Sequence, residues 1–453
     1  AEAFGRLPGL SLADDQGEAR FVLIRGIQHK NNVTINGVSI PAPEDTIRQM
    51  ALDVIPADVV SSLEVTKSAT PDMPGNGVGG SLDIQTASAF DRKGLYVGGR
   101  FEGAYNKLGD RWSPKVGLNV SDTFSVLGGD NNLGIYVGAS WYDRNYDTDN
   151  NENGPTLVNK TDPTTGLKPV YIRNLGMRDF NVNRKRSGFT VNADYRYSPT
   201  SKFYLRSLIS NFANTEKRNQ TNVRYDGSST VVRLTDYEGE FNNVPNVDRD
   251  VQQANQKQII RAVNGGGEHQ WGDWFVNYNL AWSTSIEDFG PEEQFTFVKN
   301  ATFNSSYTYA ENSRPSRIVI TGANGVADYL NPANYRLRSY NIFTRYKKNE
   351  TIAAKLDVRR DLKIRDWPSY LKAGVSASWA DVSADQEDVT YNWAGPVTTL
   401  TNFEGPKANY PLYLFGPTID FDKSKEFLKN NTSATGFVKD VVGATRNGGA
   451  VDY

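Results

Sequence analysis

Cysteine is absent from the 453 residues, which excludes a disulfide scaffold, CxxC redox chemistry and thiolate metal sites. Only two histidines occur, His29 and His269, far apart in the chain. That is little material for a His-rich metal site or a Ser-His hydrolase. Charge of one sign is lacking as well: 50 basic against 52 acidic residues leave a formal charge of -2, so there is no basic footprint for nucleic acid. No apolar run reaches the roughly 18 residues of a transmembrane helix. Ala1 to Leu12 has neither the basic nor the apolar segment of a secretory leader, so the expectation is a removed leader or a start further upstream. Repeats of fixed length are missing too. Adjacent acidic residues such as Glu292 and Glu293 read as solvated loop charge, since neighbouring side chains need not converge as an acid-base pair must. No enzymatic chemistry, bound cofactor or metal is expected.

What is present is aromatic and glycine-rich: 23 Tyr, 21 Phe, 8 Trp and 40 Gly. The mean hydropathy of -0.55 resembles that of a soluble protein, but strands of a membrane barrel alternate lipid-facing apolar with lumen-facing polar residues and also average polar. Two regimes meet near residue 90. Residues 1–90 mix short apolar runs with Pro and Gly. Short strands are expected at Phe21–Arg25, Val33–Asn36, Ser62–Lys67 and Gly80–Thr86, a short helix at Glu44–Leu52 and a helical turn at Pro56–Val60, giving a small α+β unit. In the second unit, residues 91–453, the period becomes two from residue 94 on. Phe189, Val191, Ala193, Tyr195 and Tyr197 alternate with Thr190, Asn192, Asp194 and Arg196. Similar rows begin at Leu95, Val116, Ile135, Phe203, Trp274, Ile352 and Leu371, and a less regular one lies at Gln256–Gln270, about nine strands in all. The rows suit the roughly 9–11 residues of a tilted membrane strand, and several end in Tyr or Trp.

The connections alternate. Long polar stretches are expected at 144–185, 214–255 and 287–349, with the tail after Asp381 as one more. Tight turns are expected at Ser198–Ser201, Gly272–Asp273 and Asp361–Pro368. Long loops on one side and short turns on the other are the arrangement of outer-membrane barrels, the long loops being extracellular.

Within residues 20–86 a series of motifs follows in order: Ile24-Arg25-Gly26; Asn32-Val33-Thr34-Ile35-Asn36-Gly37-Val38; Ile55-Pro56-Ala57; Leu63-Glu64-Val65-Thr66-Lys67; and Gly75-Asn76-Gly77-Val78-Gly79-Gly80-Ser81-Leu82-Asp83-Ile84-Gln85-Thr86. This succession resembles the plug of TonB-dependent outer-membrane receptors. The wording Ser68-Ala69-Thr70-Pro71-Asp72-Met73-Pro74 is similar to the branch common in Caulobacter- and Xanthomonas-type bacteria. The resemblance implies a partial membrane β-barrel, about nine of about 22 antiparallel strands, with residues 1–90 as an α+β plug in its lumen. It implies energy-coupled uptake of a scarce ligand, such as an oligosaccharide or a siderophore. The implied partners are outer-membrane lipid, that ligand and the periplasmic TonB complex, the last acting through a segment upstream of Ala1. The family's TonB box is not visible in Glu2–Leu7, and residues 446–453 do not alternate as a closing strand should, so truncation at both ends is expected.

The resemblance also assigns residues. Plug-apex turns bind ligand in the family, which points to Gln28, His29, Lys30 and Asn31, and to Ser39, Pro41 and Glu44. Gly26, Gly37, Gly79 and Gly80 are expected in tight turns or close packing. Arg25, Glu64 and Lys67 are expected as buried charges anchoring the plug, since family plug cations pair with barrel carboxylates. Two rivals remain: a passive outer-membrane pore or adhesin, and a soluble carbohydrate-binding β-protein.

Overall fold

In the computed structural model, the described residues are 6, 8–15, 18–27, 31–44, 51–56, 60–68, 70, 73, 77, 79–156, 160–309, 315–365, 367–432 and 435–440, with the backbone of 445–452. The expected helix at 44–52 and the turn at 56–60 fall largely outside them. At the end of the former, Leu52 opens a single 3-10 turn, Leu52–Val54.

The N-terminal unit is built from six short strands. β1 (Leu10–Asp15) and β2 (Glu18–Ile24) form an antiparallel hairpin. β3 (Asn31–Ile35), β4 (Val38–Ser39), β5 (Val60–Thr66) and β6 (Gly80–Thr86) form a mixed sheet in the order β4-β3-β6-β5, with β3 and β6 parallel. Gly26 and Gly37 turn at φ +74° and +79°, a conformation open to glycine at little cost. The core of this unit includes Val22, Ile24, Ile35, Val54, Leu82 and Ile84. It continues into Leu208, Phe212, Ile260, Ala262 and Ala281 of the large sheet, so both bury one apolar cluster.

The remainder runs through β7 (Tyr96–Asn106), β8 (Arg111–Phe124), β9 (Leu133–Thr156), β10 (Tyr171–Ser198), β11 (Ser201–Arg224), β12 (Thr230–Leu234), β13 (Glu238–Asn242), β14 (Asn246–Trp271) and β15 (Trp274–Lys299). It continues with β16 (Asn304–Tyr309), β17 (Pro315–Thr321), α1 (Val326–Leu330), β18 (Tyr335–Ile364), β19 (Trp367–Trp393), α2 (Phe421–Asn430), β20 (Phe437–Lys439) and β21 (Thr445–Asp452). Among the described residues, nine long strands make one antiparallel sheet in the order β7-β8-β9-β10-β11-β14-β15-β18-β19, with β20 and β21 added on β19. Its two edges do not pair with each other, so the barrel is not closed. No helix among the described residues is long and apolar enough to cross a membrane; a β-barrel crosses with strands.

Exposed apolar side chains gather on the strand halves next to the short turns: Phe189 and Tyr197, Phe203 and Leu205, Trp274 and Leu280, Trp367 to Trp379. From Trp367 to Trp379 is 379 − 367 = 12 residues. At about 3.3 Å each and a tilt of about 45° they rise roughly 28 Å, close to the apolar band of an outer-membrane barrel.

The strands then continue far beyond this band. β10 has 28 residues and β18 has 30, against the roughly 9–11 that cross a bilayer. The expected long loops are correspondingly shorter. They shrink to 157–170, 225–245 and 300–334, and the last two carry β12, β13, β16 and β17, which form a four-stranded sheet of their own. The tail after Asp381 likewise continues as β19 to Trp393 before it leaves the sheet.

On the face opposite the plug, the projecting part of the strands is apolar. Leu175, Met177, Val223, Val251, Phe295 and Phe297 are buried beneath the small sheet and the segment between β19 and β20. Arg249 is clasped in this cap, 1% exposed. It donates to the carbonyl of Phe415 and to Tyr335 Oη, and lies over the rings of Tyr329 and Tyr335.

Candidate functional site

Strand alternation presents every second residue of β10, β11, β14, β15 and β18 to the plug, and around the apolar contacts of Leu208, Phe212, Ile260, Ala262 and Ala281 many of these positions are polar. Near the short turns, Asp194 accepts from Ser88 Oγ at 2.6 Å and grips Arg206 in a two-pronged pair at 2.7 Å. Asn192 donates to Thr86 Oγ1 at 2.8 Å and to the Ala87 carbonyl at 2.7 Å. Further along, wall side chains donate to plug carbonyls: Asn264 to Asn36 (3.2 Å), Ser283 to Ser39 (3.1 Å), Ser210 to Val54 (2.6 Å), Asn349 to Ala42 (3.0 Å) and Lys347 to Glu44 (3.2 Å).

Charge lies at the upper end of this seat. Glu18, 8% exposed, accepts from Arg144, Arg184 and Arg186 of β9 and β10. Arg20 pairs with Glu44, which also accepts from Gln258 at 3.1 Å. Beside these residues a cavity of about 210 Å³ opens between Arg20, Arg184, Asn214, Gln256 and Arg345. Glu287 lies buried behind it, accepting from Gln256 at 2.7 Å and Arg345 at 2.9 Å.

The expected apex residues are distributed differently from the sequence reading. Gln28, His29 and Lys30 lie outside the described residues. Asn31 is buried and donates to the carbonyls of Val22 (2.9 Å) and Ile27 (3.1 Å), a role inside the plug. Ser39 and Pro41 sit in the segment docked on the wall by Ser283 and Asn349. Glu44 is a correction: it is buried in an ion pair and not displayed at an open apex.

The expected anchors differ too. Arg25 and Glu64 are exposed and Lys67 half-buried; Arg25 donates to Ser68 Oγ at 3.1 Å and Lys67 to the Pro8 carbonyl, both within the plug. The plug-to-wall pairing runs with opposite polarity, a plug carboxylate meeting wall arginines, because Glu18 and not Arg25 sits where β2 reaches the sheet. Gly79 and Gly80 are sterically required. A Cβ on Gly79 would lie 2.2 Å from Asn31 Oδ1, and one on Gly80 2.8 Å from the Thr66 carbonyl. Glu18, Arg20, Arg144, Arg184 and Arg186 were missed in the sequence. The dense run Arg184-Lys185-Arg186 was the available signal, but it falls in a stretch read as loop.

Above the plug the same face of the wall becomes rich in amides and mixed charge. Arg178, Arg218, Gln220, Asp250, Gln252 and Gln294 occupy neighbouring rows of the ladder. Asp250 accepts from Gln294 Nε2 and Thr296 Oγ1, each at 3.0 Å. Burial pushes its carboxyl up, and the Arg218 charge opposes that. Asp248 is pushed up to about 6, by burial first and by the Asp250 charge second. Burial, with the like charge of Arg178, pulls Arg218 down. Asp248 also borders a recess of about 580 Å³ at the top of the wall, together with Asn246, Lys299, Arg336, Arg338 and Asn392. Among the described residues this arrangement offers hydrogen-bond donors and acceptors and no nucleophile paired with a base. Among the described residues, no group of three or more His, Asp or Glu could hold a metal ion.

Residues 1–81 match the family model of the TonB-dependent receptor plug domain. No curated protein sequence matches the chain. Among solved structures, the chain is similar to a mutant of the ferric enterobactin receptor of Pseudomonas aeruginosa (11% identity over 87% of this chain and 77% of that one, TM-score 0.35). It is also similar to the siderophore receptor PirA of Acinetobacter baumannii (11% identity, 88% and 79%, TM-score 0.27) and the copper transporter OprC (9% identity, 86% and 75%, TM-score 0.29). Overlaps this loose specify neither ligand nor site.

Proposed function

We propose that this chain, whose residues 1–81 match the plug-domain model of TonB-dependent receptors, is an outer-membrane receptor that binds a scarce ligand on the lumen wall above the plug and admits it when the plug is pulled from the periplasm. Residues 1–90 are the moving part in this reading and residues 91–453 belong to the wall. The TonB energy-transducing complex supplies the force, through a segment outside the residues described here.

The observation that carries the reading is the seat. The plug covers the inner face of the wall, but its rim contacts are hydrogen bonds and ion pairs. Water can replace such contacts as the plug leaves. Each hydrogen bond contributes only about 0.5–1.5 kcal/mol net, so the rim yields stepwise under force. No part of this cycle requires a covalent step.

The test is uptake by cells carrying the receptor, with and without the TonB complex and with and without an uncoupler. Accumulation that stops in both deprived conditions is the expected result. Accumulation that persists without TonB and after uncoupling overturns the proposal in favour of a passive pore.

A further inference from the structure

We propose that the cavity at the short-turn end of the lumen is a relay site for an anionic ligand, one bearing carboxylate or phosphate groups, on its way to the periplasm. The proposal rests on the uptake reading for the direction of travel alone; the preference for anions stands on the charges of the wall.

The plug does not fill the space inside the sheet. Among the described residues it accepts hydrogen bonds from Lys347 and Asn349 of β18. Nearer the short turns the two surfaces part. A cavity of about 1360 Å³ lies there between Gly37, Thr70 and Met73 of the plug and the ends of β10, β11, β14, β15, β18 and β19. That exceeds the roughly 300–1,000 Å³ usual for small-ligand sites.

The inward rows of β18 and β19 line it with charge. Lys355, Asp357 and Arg359 stand opposite Ser376, Gly374 and Lys372. Asp357 lies 3.1 Å from Lys355 Nζ and 3.8 Å from Lys372 Nζ, so one carboxylate faces two ammonium groups. Gly374 makes room for it, since a Cβ there would lie 2.4 Å from Asp357 Oδ1. Arg359 pairs with Asp361 at 3.0 Å, and Lys202 with Glu268 at 2.9 Å. With Arg196, five cations of the lining meet Asp357, Glu268 and the adjoining Asp361, an excess of 5 − 3 = 2 positive charges among the described residues. These groups are within reach of a solute: the side chains of Lys355 and Lys372 are 41% and 32% exposed.

The sign of the excess selects the ligand. A cleft lined by one sign of charge between low-dielectric walls focuses its field and concentrates counter-ions. Rings offer little to a flat neutral ligand, because Phe275 and Tyr370 both lie under Arg359, 4.0 and 5.7 Å from its Cζ. A relay site must also release what it holds, and ion pairs open to water are weak enough to do so.

The experiment is thiol labelling of the full-length receptor. This chain has no cysteine, so Ser376→Cys places its one thiol opposite Lys355, with the parent receptor as the blank. Rates with an anionic and a cationic methanethiosulfonate of similar size are each divided by those of 2-mercaptoethanol. The anionic reagent is expected to be favoured about tenfold at about 50 mM NaCl and about twofold at about 500 mM. Adding Lys355→Gln and Lys372→Gln should bring the ratio to about one, because the excess charge is gone, and adding Asp357→Asn should raise it above that of Ser376→Cys alone. Citrate at about 10 mM should slow a neutral methanethiosulfonate about threefold at matched ionic strength, as a site of about 5 mM affinity would, and glucose should not. Heat-modifiable migration reports whether each variant is folded, and either charge variant alone decides. A thiol that does not react, a ratio near one in Ser376→Cys, a ratio indifferent to the charge variants, or equal protection by citrate and glucose overturns the proposal. The two readings fail separately: loss of the anion preference leaves energy-coupled uptake intact, and an anion preference with TonB-independent entry removes the uptake reading and leaves the site.

Discussion

Glu18→Gln is the substitution that most directly probes how the plug is held. The Glu18 carboxylate is 8% exposed and compensates three guanidiniums, of which Arg184 and Arg186 are themselves buried. The amide preserves shape and removes the charge, leaving three cations crowded at one point. Removing one partner of a buried pair costs about 3–5 kcal/mol, the three guanidiniums keeping their contacts other than Glu18. At about 1.4 kcal/mol per tenfold, the seated plug loses roughly two to three and a half powers of ten against the loosened one. Hydrogen exchange read by mass spectrometry on the intact receptor is the assay. Amides of β2 (Glu18–Ile24) should exchange far faster in the variant, while those of β10 within the apolar band stay protected. Adding Arg186→Gln should recover part of the loss, because one fewer cation is left in the cluster; a coupling of about 1 kcal/mol or more is expected for residues in direct contact. Exchange in β2 within about threefold of the parent would refute the reasoning and show that the apolar cluster alone seats the plug.

Two further outcomes concern the projecting collar. Asp149 is pushed up to about 7 by burial, then by the charges of Asp179 and Asp147; since the folded chain holds this proton more tightly than the unfolded chain, its stability is greatest below about pH 4 and declines as pH rises through about 7, so Asp149→Asn should leave thermal stability near pH 4 unchanged and raise it above pH 7. Gly416→Ala should loosen the cap: Gly416 has φ +85° and a Cβ would lie 2.1 Å from Arg249 Nη2, so backbone strain of about 1–2 kcal/mol adds to displacement of the arginine, and limited proteolysis between β19 and α2 should quicken while β2 exchange stays as in the parent.

The rows beginning at Phe189, Trp274 and Leu371 declared themselves because lipid on one face and the lumen on the other force a period of two. The same strands fell silent above the band. Asp147 to Thr156 of β9 has no large apolar side chain on either face, so no alternation marks it, and the stretch reads as loop although it is ladder to its end. In the plug, Gly80–Thr86 was legible to the residue because its glycines and its pattern agree. Glu44 was not, for its partners Arg20 and Gln258 stand 24 and 214 residues away, and nothing local distinguishes a loop carboxylate from a buried one. The charges of Lys355, Arg359 and Lys372 were silent for a related reason: each is an ordinary strand residue until the register of β18 and β19 brings them together.

The wall grips the plug largely by its backbone. Asn264, Ser283, Ser210, Asn349 and Asn192 donate to the carbonyls of Asn36, Ser39, Val54, Ala42 and Ala87, and a carbonyl is the same whichever side chain it carries. Tolerance to change is therefore lopsided across this boundary. The plug can drift in sequence at the gripped positions while the five wall residues cannot, and a foreign plug that follows the same chain trace would be accepted by this wall more readily than a foreign wall would accept this plug.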